Sequence, residues 1–159
     1  MAIYLKLGNV KGNVTADGYA GQIAVTSVSF GVSRQVTMEA GNLSNRESAK
    51  PALSQIKITK MADNSVAAIF KEALTGAAGR EAVITFVHTG NSMQEFMTYK
   101  LTDCIVSHYH VKTQGDNEPV EELSLSYAAI EVSYKDHGAA NKSGNPQRVR
   151  YDIKAAKTG

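Results

Sequence analysis

The residues of this chain best suited to chemistry are His108 and His110, Cys104, and the acidic trio Glu118, Glu121 and Glu122. His108 and His110 are two positions apart in an alternating segment, so on a strand they share a face, and side-by-side imidazoles can chelate a metal ion. A third ligand at matching spacing is absent; His88 and His137 could join them only through the tertiary fold. The simpler reading is two solvated strand histidines. Cys104 lies beside Ile105 and reads as a small buried hydrophobe rather than a nucleophile. The three glutamates flank the turn at 115–119 and read as a solvated rim. There is no GxSxG, P-loop or dinucleotide fingerprint, and no glycine opens a predicted helix. These residues therefore predict neither an enzyme, nor a metal site, nor a cofactor.

Composition narrows the class further. The chain has 159 residues, 43% hydrophobic and 20% charged, which is one ordinary globular domain spanning 1–159. A net charge of +2 without a dense Lys/Arg block leaves out the electrostatic footprint of nucleic-acid binding. No apolar run reaches the roughly 18 residues of a membrane helix, so no membrane insertion is expected. The start, MAIYLKLGNVKG, alternates like a strand and is not a secretory signal. A single cysteine cannot close an intramolecular disulfide, which places folding in a reducing cytoplasm. Any export would follow a route that the standard signal rules do not describe.

The elements that must position these residues are organised around 23–32, IAVTSVSFGV. Ile23 and Val25 are apolar at odd positions; Val28, Phe30 and Val32 are apolar at even ones. A strand cannot switch the parity of its core face without an extra residue, so a bulge or bend is predicted near Thr26 and Ser27. Beyond it Ser29 and Gly31 occupy the face opposite Val28 and Phe30, which is small and polar. The segment 120–135 repeats the pattern, with Leu123, Leu125 and Tyr127 followed by Ile130, Val132 and Tyr134, and predicts a second bulge at Ala128 and Ala129.

Other strands are expected at 2–7, within 51–60, at 81–88, over 96–112 as one bent strand or two, and at 148–153. The one helix is expected at 63–75. Its stripe of Val66, Ile69, Phe70, Ala73 and Leu74 has helical spacing, with Asp63, Asn64 or Ser65 to cap it and Gly76 to stop it. Val83 and Val87 form a second apolar face, to be covered by this helix or by another subunit. Residues 33–50 show neither period, and a patternless loop of that length has a function or is mere surface. Long bulged antiparallel strands predict a mainly β fold, a small β-barrel with one flanking helix.

The order of these motifs resembles the haemolysin-coregulated protein (Hcp) family, the inner-tube component of bacterial type VI secretion systems. The resemblance runs over essentially the whole chain. It rests on Tyr4-Leu5-Lys6-Leu7 with the Lys11-Gly12 turn, on IAVTSVSFGV, on IKITKMAD (56–63) before the single helix, and on the stop at Gly76. It continues through YKLTDCIVS (99–107), NEPVEELSLSYAAIEVSY (117–134) and a terminal strand with Tyr151. Val28 departs from the family, where an aromatic is common, and the 33–50 loop is less glycine-dense than in many relatives.

The resemblance implies a barrel similar to phage tail-tube proteins, assembled as a homohexamer whose rings stack into a hollow tube. The implied partners are further copies of the chain, a type VI spike protein, a contractile sheath and small secreted effectors carried in the lumen. Localisation would be cytoplasmic when assembled, then the extracellular space or a target cell after firing. With its end at Gly159, the chain is expected to be a plain tube subunit. Ser29 becomes a candidate lumen- and cargo-facing residue, although the same position suits a solvated strand serine. The long loop becomes an arm to a neighbouring subunit or ring, with Met38, Glu39, Asn42, Leu43, Asn45 and Arg46 as candidates. The competing readings are a monomeric ligand-binding β-barrel, which needs an enclosed apolar cavity, and a hydrolase using His108 or His110.

Overall fold

Both parity faults are realised as breaks between strands. The elements of the computed structural model are β1 (Ala2–Leu7), β2 (Ile23–Val25), β3 (Ser27–Ser29), β4 (Val32–Ser33), β5 (Ala52–Leu53), β6 (Ile56–Met61), α1 (Val66–Thr75), β7 (Arg80–His88), β8 (Gln94–Lys112), β9 (Val120–Ser126), β10 (Ala129–Tyr134), β11 (Gln147–Asp152) and β12 (Lys157–Thr158). The structure describes residues 1–36, 38–41, 50–76, 79–90, 92–137 and 144–159. Thr26 separates β2 from β3, and Tyr127 with Ala128 separates β9 from β10. Each break hands the chain from one sheet to the other.

The first sheet has the order β12-β11-β10-β8-β7-β1-β2, and the second has the order β3-β6-β9-β8. Every pairing among them is antiparallel. The mainly β fold with one helix is as the sequence predicts, but the closed barrel is not. Among the described residues β2 and β12 end the first ladder and β3 ends the second. A barrel needs every strand hydrogen-bonded on both edges. Here β2 gives up its pairing with β1 at Thr26, whose N–H donates to the Thr59 carbonyl of β6 at 2.8 Å, so two open sheets face one another instead.

Strand β8 belongs to both sheets. It is a single 19-residue strand whose register shifts three times, first against β7 opposite Phe86 and Val87. Against β7 it advances from Leu101 to Cys104 while β7 moves only from Ala82 to Arg80. Asp103 sits there with φ 52°, a left-handed conformation that a short polar side chain tolerates. Gly79 permits the approach, since a Cβ on it would lie 2.5 Å from Asp103 Cα. The third shift falls between Val106 and His108 against β9, and it decides which face the histidines occupy.

Between the sheets lie Leu5, Leu7, Ile23, Ile56, Ile58, Ile84, Leu101, Leu123 and Leu125, all fully buried or nearly so. Each such side chain contributes about 1.5–3 kcal/mol on burial. Helix α1 contributes Ile69 to this core, while Phe70 and Leu74 of the predicted stripe stay exposed. A ten-residue helix against a sheet buries a narrower face than its apolar stripe spans. Phe70 leans on Tyr109, ring centroids 5.9 Å apart. Val87 is covered neither by the helix nor by another subunit. It is fully buried against Tyr4 and Tyr19, because the glycine-rich loop after β1 folds back over the outer face of β1 and β7. Tyr19 stacks on Tyr4 at 4.7 Å and donates to Glu95 Oε1 at 2.6 Å.

Candidate functional site

The outward face of the second sheet is polar across its full width. Cross-strand register aligns Ser29 of β3, Lys57 of β6, Ser124 of β9 and His108 of β8 in one row. Ser27, Thr59, Glu122 and His110 form the next row. Alternation makes the intervening positions apolar: Val28, Ile58, Leu123 and Tyr109 face the core. Ser27, Ser29, Gln55, Lys57, Thr59, His108, Glu122 and Ser124 line a shallow groove of about 570 Å³ across this face.

Two devices place these residues. The bend at Thr26 turns Ser29 outward, as the parity predicts, and Ser27 with it. The bulge at Ser107 does the same for the histidines: Val106 and Tyr109 both point inward, so His108 and His110 point out. Ser107 Oγ holds the bulge, its single proton shared between Gln55 Oε1 at 3.0 Å and the Ser124 carbonyl at 3.2 Å. The imidazoles lie parallel, centroids 6.4 Å apart and planes 14° apart. Among the described residues no group of three or more His, Cys, Asp and Glu could hold a metal ion. His88 instead stacks on Phe96 at 4.0 Å, and His137 Nε2 lies 2.7 Å from the Glu95 carbonyl oxygen. Cys104 is buried, and burial pushes its thiol up to about 12, so it stays a neutral thiol at neutral pH.

Beneath the polar face lies a charged cluster that the solvated-rim reading of the glutamates misses. Glu121 is fully buried and paired with an equally buried Lys60. Lys60 Nζ also donates to Asp63 Oδ1 at 3.0 Å and to the Met61 carbonyl at 3.0 Å, so all three ammonium protons have acceptors. The other carboxylate oxygen of Glu121 accepts from Tyr109 Oη at 2.5 Å. Burial, with help from Glu121, raises the phenol's pKa. Burial pushes the Asp63 carboxyl up, but hydrogen bonds from Ser65 and Lys60 outweigh it and hold the group below the usual carboxylate range. The cluster ties the ends of β6, β8 and β9 to the start of α1. The signal for it was parity: Lys60 and Glu121 continue the inward rows of Ile56, Ile58 and of Leu125, Leu123.

Ser29 is exposed and lines the groove. The long loop is not wholly patternless, because β4 and β5 pair at its base through Val32 with Leu53 and Ser33 with Ala52. Gly31 N–H donates to Ser54 Oγ at 3.0 Å, and Tyr127 Oη donates to the Ser54 carbonyl at 2.7 Å. Met38 and Glu39 are exposed beyond that base. Asn42, Leu43, Asn45 and Arg46 lie outside the described residues.

Two facing antiparallel sheets sharing one long strand, with a single flanking helix among the described residues, define a class of fold seen in solved type VI secretion system proteins. A solved type six secretion system protein superimposes with a TM-score of 0.91 at 23% identity, over 99% of both chains. Hcp1 from Salmonella typhimurium gives 0.77 at 19% identity, over 99% of this chain and 98% of that one. A type VI secretion system effector from Yersinia pestis gives 0.75 at 14% identity, over 95% and 99%. No curated protein matches the sequence significantly. The chain belongs to the Hcp family: the family model described as "Type VI secretion system effector, Hcp" matches residues 4–134.

Proposed function

We propose that this chain is a structural subunit of a type VI secretion tube, a homohexameric ring that stacks with others and carries small effectors in its lumen. The observation that carries this reading is the polar face of the second sheet. Two rows of hydroxyl, amine, carboxylate and imidazole groups, with no large apolar side chain among them, make a wall that holds a polypeptide by polar contacts and not by apolar adhesion. Ser29 in that wall contacts cargo. The loop bearing Met38 and Glu39, which starts from the β4–β5 ribbon, reaches a neighbouring subunit or ring.

A closed ring needs a heterologous interface, that is, two different patches on each subunit, and the open edges of β3 and β12 offer distinct ones. The spike protein and the sheath are the further partners. The chain assembles in the cytoplasm and leaves the cell on firing. A ligand-binding barrel would need an enclosed cavity, whereas the space between the sheets is filled by Ile56, Ile58, Leu101, Leu123 and their neighbours.

Particle mass in solution together with negative-stain imaging tests the assembly. Six-membered rings are expected, and a chain that remains monomeric at high concentration overturns the reading. Ser29→Gln is expected to leave rings intact and reduce cargo retention. Loss of rings in that variant would move Ser29 from the lumen to an interface.

A further inference from the structure

Lys57 occupies the middle of the groove, flanked across its strands by Ser29 and Ser124, with His108 in the same row. Its exposed ammonium makes no ion pair or hydrogen bond among the described residues, and neither does the Glu122 carboxylate in the next row. An ammonium surrounded by hydroxyl and imidazole donors in a concavity of about 570 Å³ has the chemistry of a carboxylate seat. We propose that the groove grips an acidic segment of a polypeptide through Lys57, and that His108 and His110 tighten this grip as pH falls. The proposal rests on the reading of this face as the cargo surface, and it adds the class of cargo and its regulation.

The charges that face the two imidazoles can be named element by element. Strand β9 presents Glu122 opposite His110 and the neutral Ser124 opposite His108. Strand β6 presents Lys57 and the neutral Thr59, and β3 presents only Ser27 and Ser29. Strand β8 itself adds Lys112 two residues beyond His110, and α1 packs on the opposite face through Tyr109. With both imidazoles neutral, Lys57 and Glu122 cancel across the rows. Histidine is the side chain that changes charge between about pH 5 and 8. A cationic imidazole therefore adds to the positive charge of Lys57 and Lys112 against the single Glu122 carboxylate, and a ring would repeat the change in every subunit. Exposure makes the attraction sensitive to salt.

The test uses the full chain and a fluorescently labelled deca-glutamate peptide, followed by anisotropy at low salt at pH 8.0 and 5.5. Binding is expected to strengthen about tenfold at the lower pH, with deca-lysine bound at neither. Lys57→Gln is expected to weaken binding about tenfold at both pH values. A variant carrying His108→Asn and His110→Asn should keep the pH 8.0 affinity and lose the pH response. All three side chains are exposed, so these variants fold. Equal binding by deca-lysine, an unchanged Lys57→Gln variant, or a pH response surviving without the histidines overturns the proposal. Particle mass is read on the same samples. Rings that form without binding the peptide overturn this inference alone, and a persistent monomer overturns the assembly reading instead.

Discussion

Glu121 and Glu122 are adjacent in the chain and identical in chemistry, yet one is fully buried and the other faces the open groove. The same division separates Lys60 from Thr59 on the neighbouring strand. The inner pair lies at the end of the hydrophobic rows, where the core meets the start of α1. The outer pair belongs to a solvated wall. A one-residue slip between β6 and β9 would turn Leu123 and Leu125 toward water and bring Glu122 and Ser124 inward. The hydrophobic rows therefore set the register, and the ion pair lies at their end. The outer face imposes no comparable demand, and its residues are free to serve a passing ligand.

The largest break in this comparison comes from removing one member of the inner pair. Lys60→Met leaves Glu121 buried without its cation and is expected to cost about 3–5 kcal/mol, read from urea unfolding. Replacing both partners, as in Lys60→Met with Glu121→Leu, is expected to recover most of that loss. If Lys60→Met proves as benign as a surface change, the buried pair is not holding the end of the sheet. Tyr109→Phe keeps the ring against Phe70 and removes only the hydrogen bond to Glu121, for an expected loss of about 1.5–3 kcal/mol.

Acid titration sharpens the same contrast with a smaller effect. Asp63 has its folded pKa held down by Ser65 and Lys60. Its contribution is present above the unfolded value of about 3.9 and is lost as pH falls through the lower folded value. Denaturant midpoints should therefore drop more steeply below about pH 4 in the native chain than in Asp63→Asn; parallel curves would remove Asp63 from the linkage. The smallest effects belong to the outer face. Glu122→Gln and Ser29→Gln should change stability by no more than about 0.5 kcal/mol. A larger loss at either would show that the wall is part of the fold's support.

Much of this was legible in the residues themselves. The parity change between Val25 and Val28 announced the bend at Thr26, and Leu125 against Ile130 announced the break before β10. The helix stop at Gly76 and the outward position of Ser29 followed from the same periodicities. The parity fault between Val106 and Tyr109 was equally available, and it would have placed both histidines on the polar face. The misreading of Glu121 has a different cause. A glutamate beside a turn is normally solvated, and only the partner strand revealed that Lys60 awaited it inside.

Alternation along each strand is a local property of the chain, so the sequence by itself determined which side chains share a face and where a strand must bend. It also carried the ordered motifs that mark the Hcp family. Whether the sheets close, what covers Val87, and which rows stand side by side depend on pairings between residues far apart in the chain. Those belong to the tertiary structure. It left the sheets open, laid the loop after β1 over Val87, and brought Ser29, Lys57, Ser124 and His108 from four strands into one row.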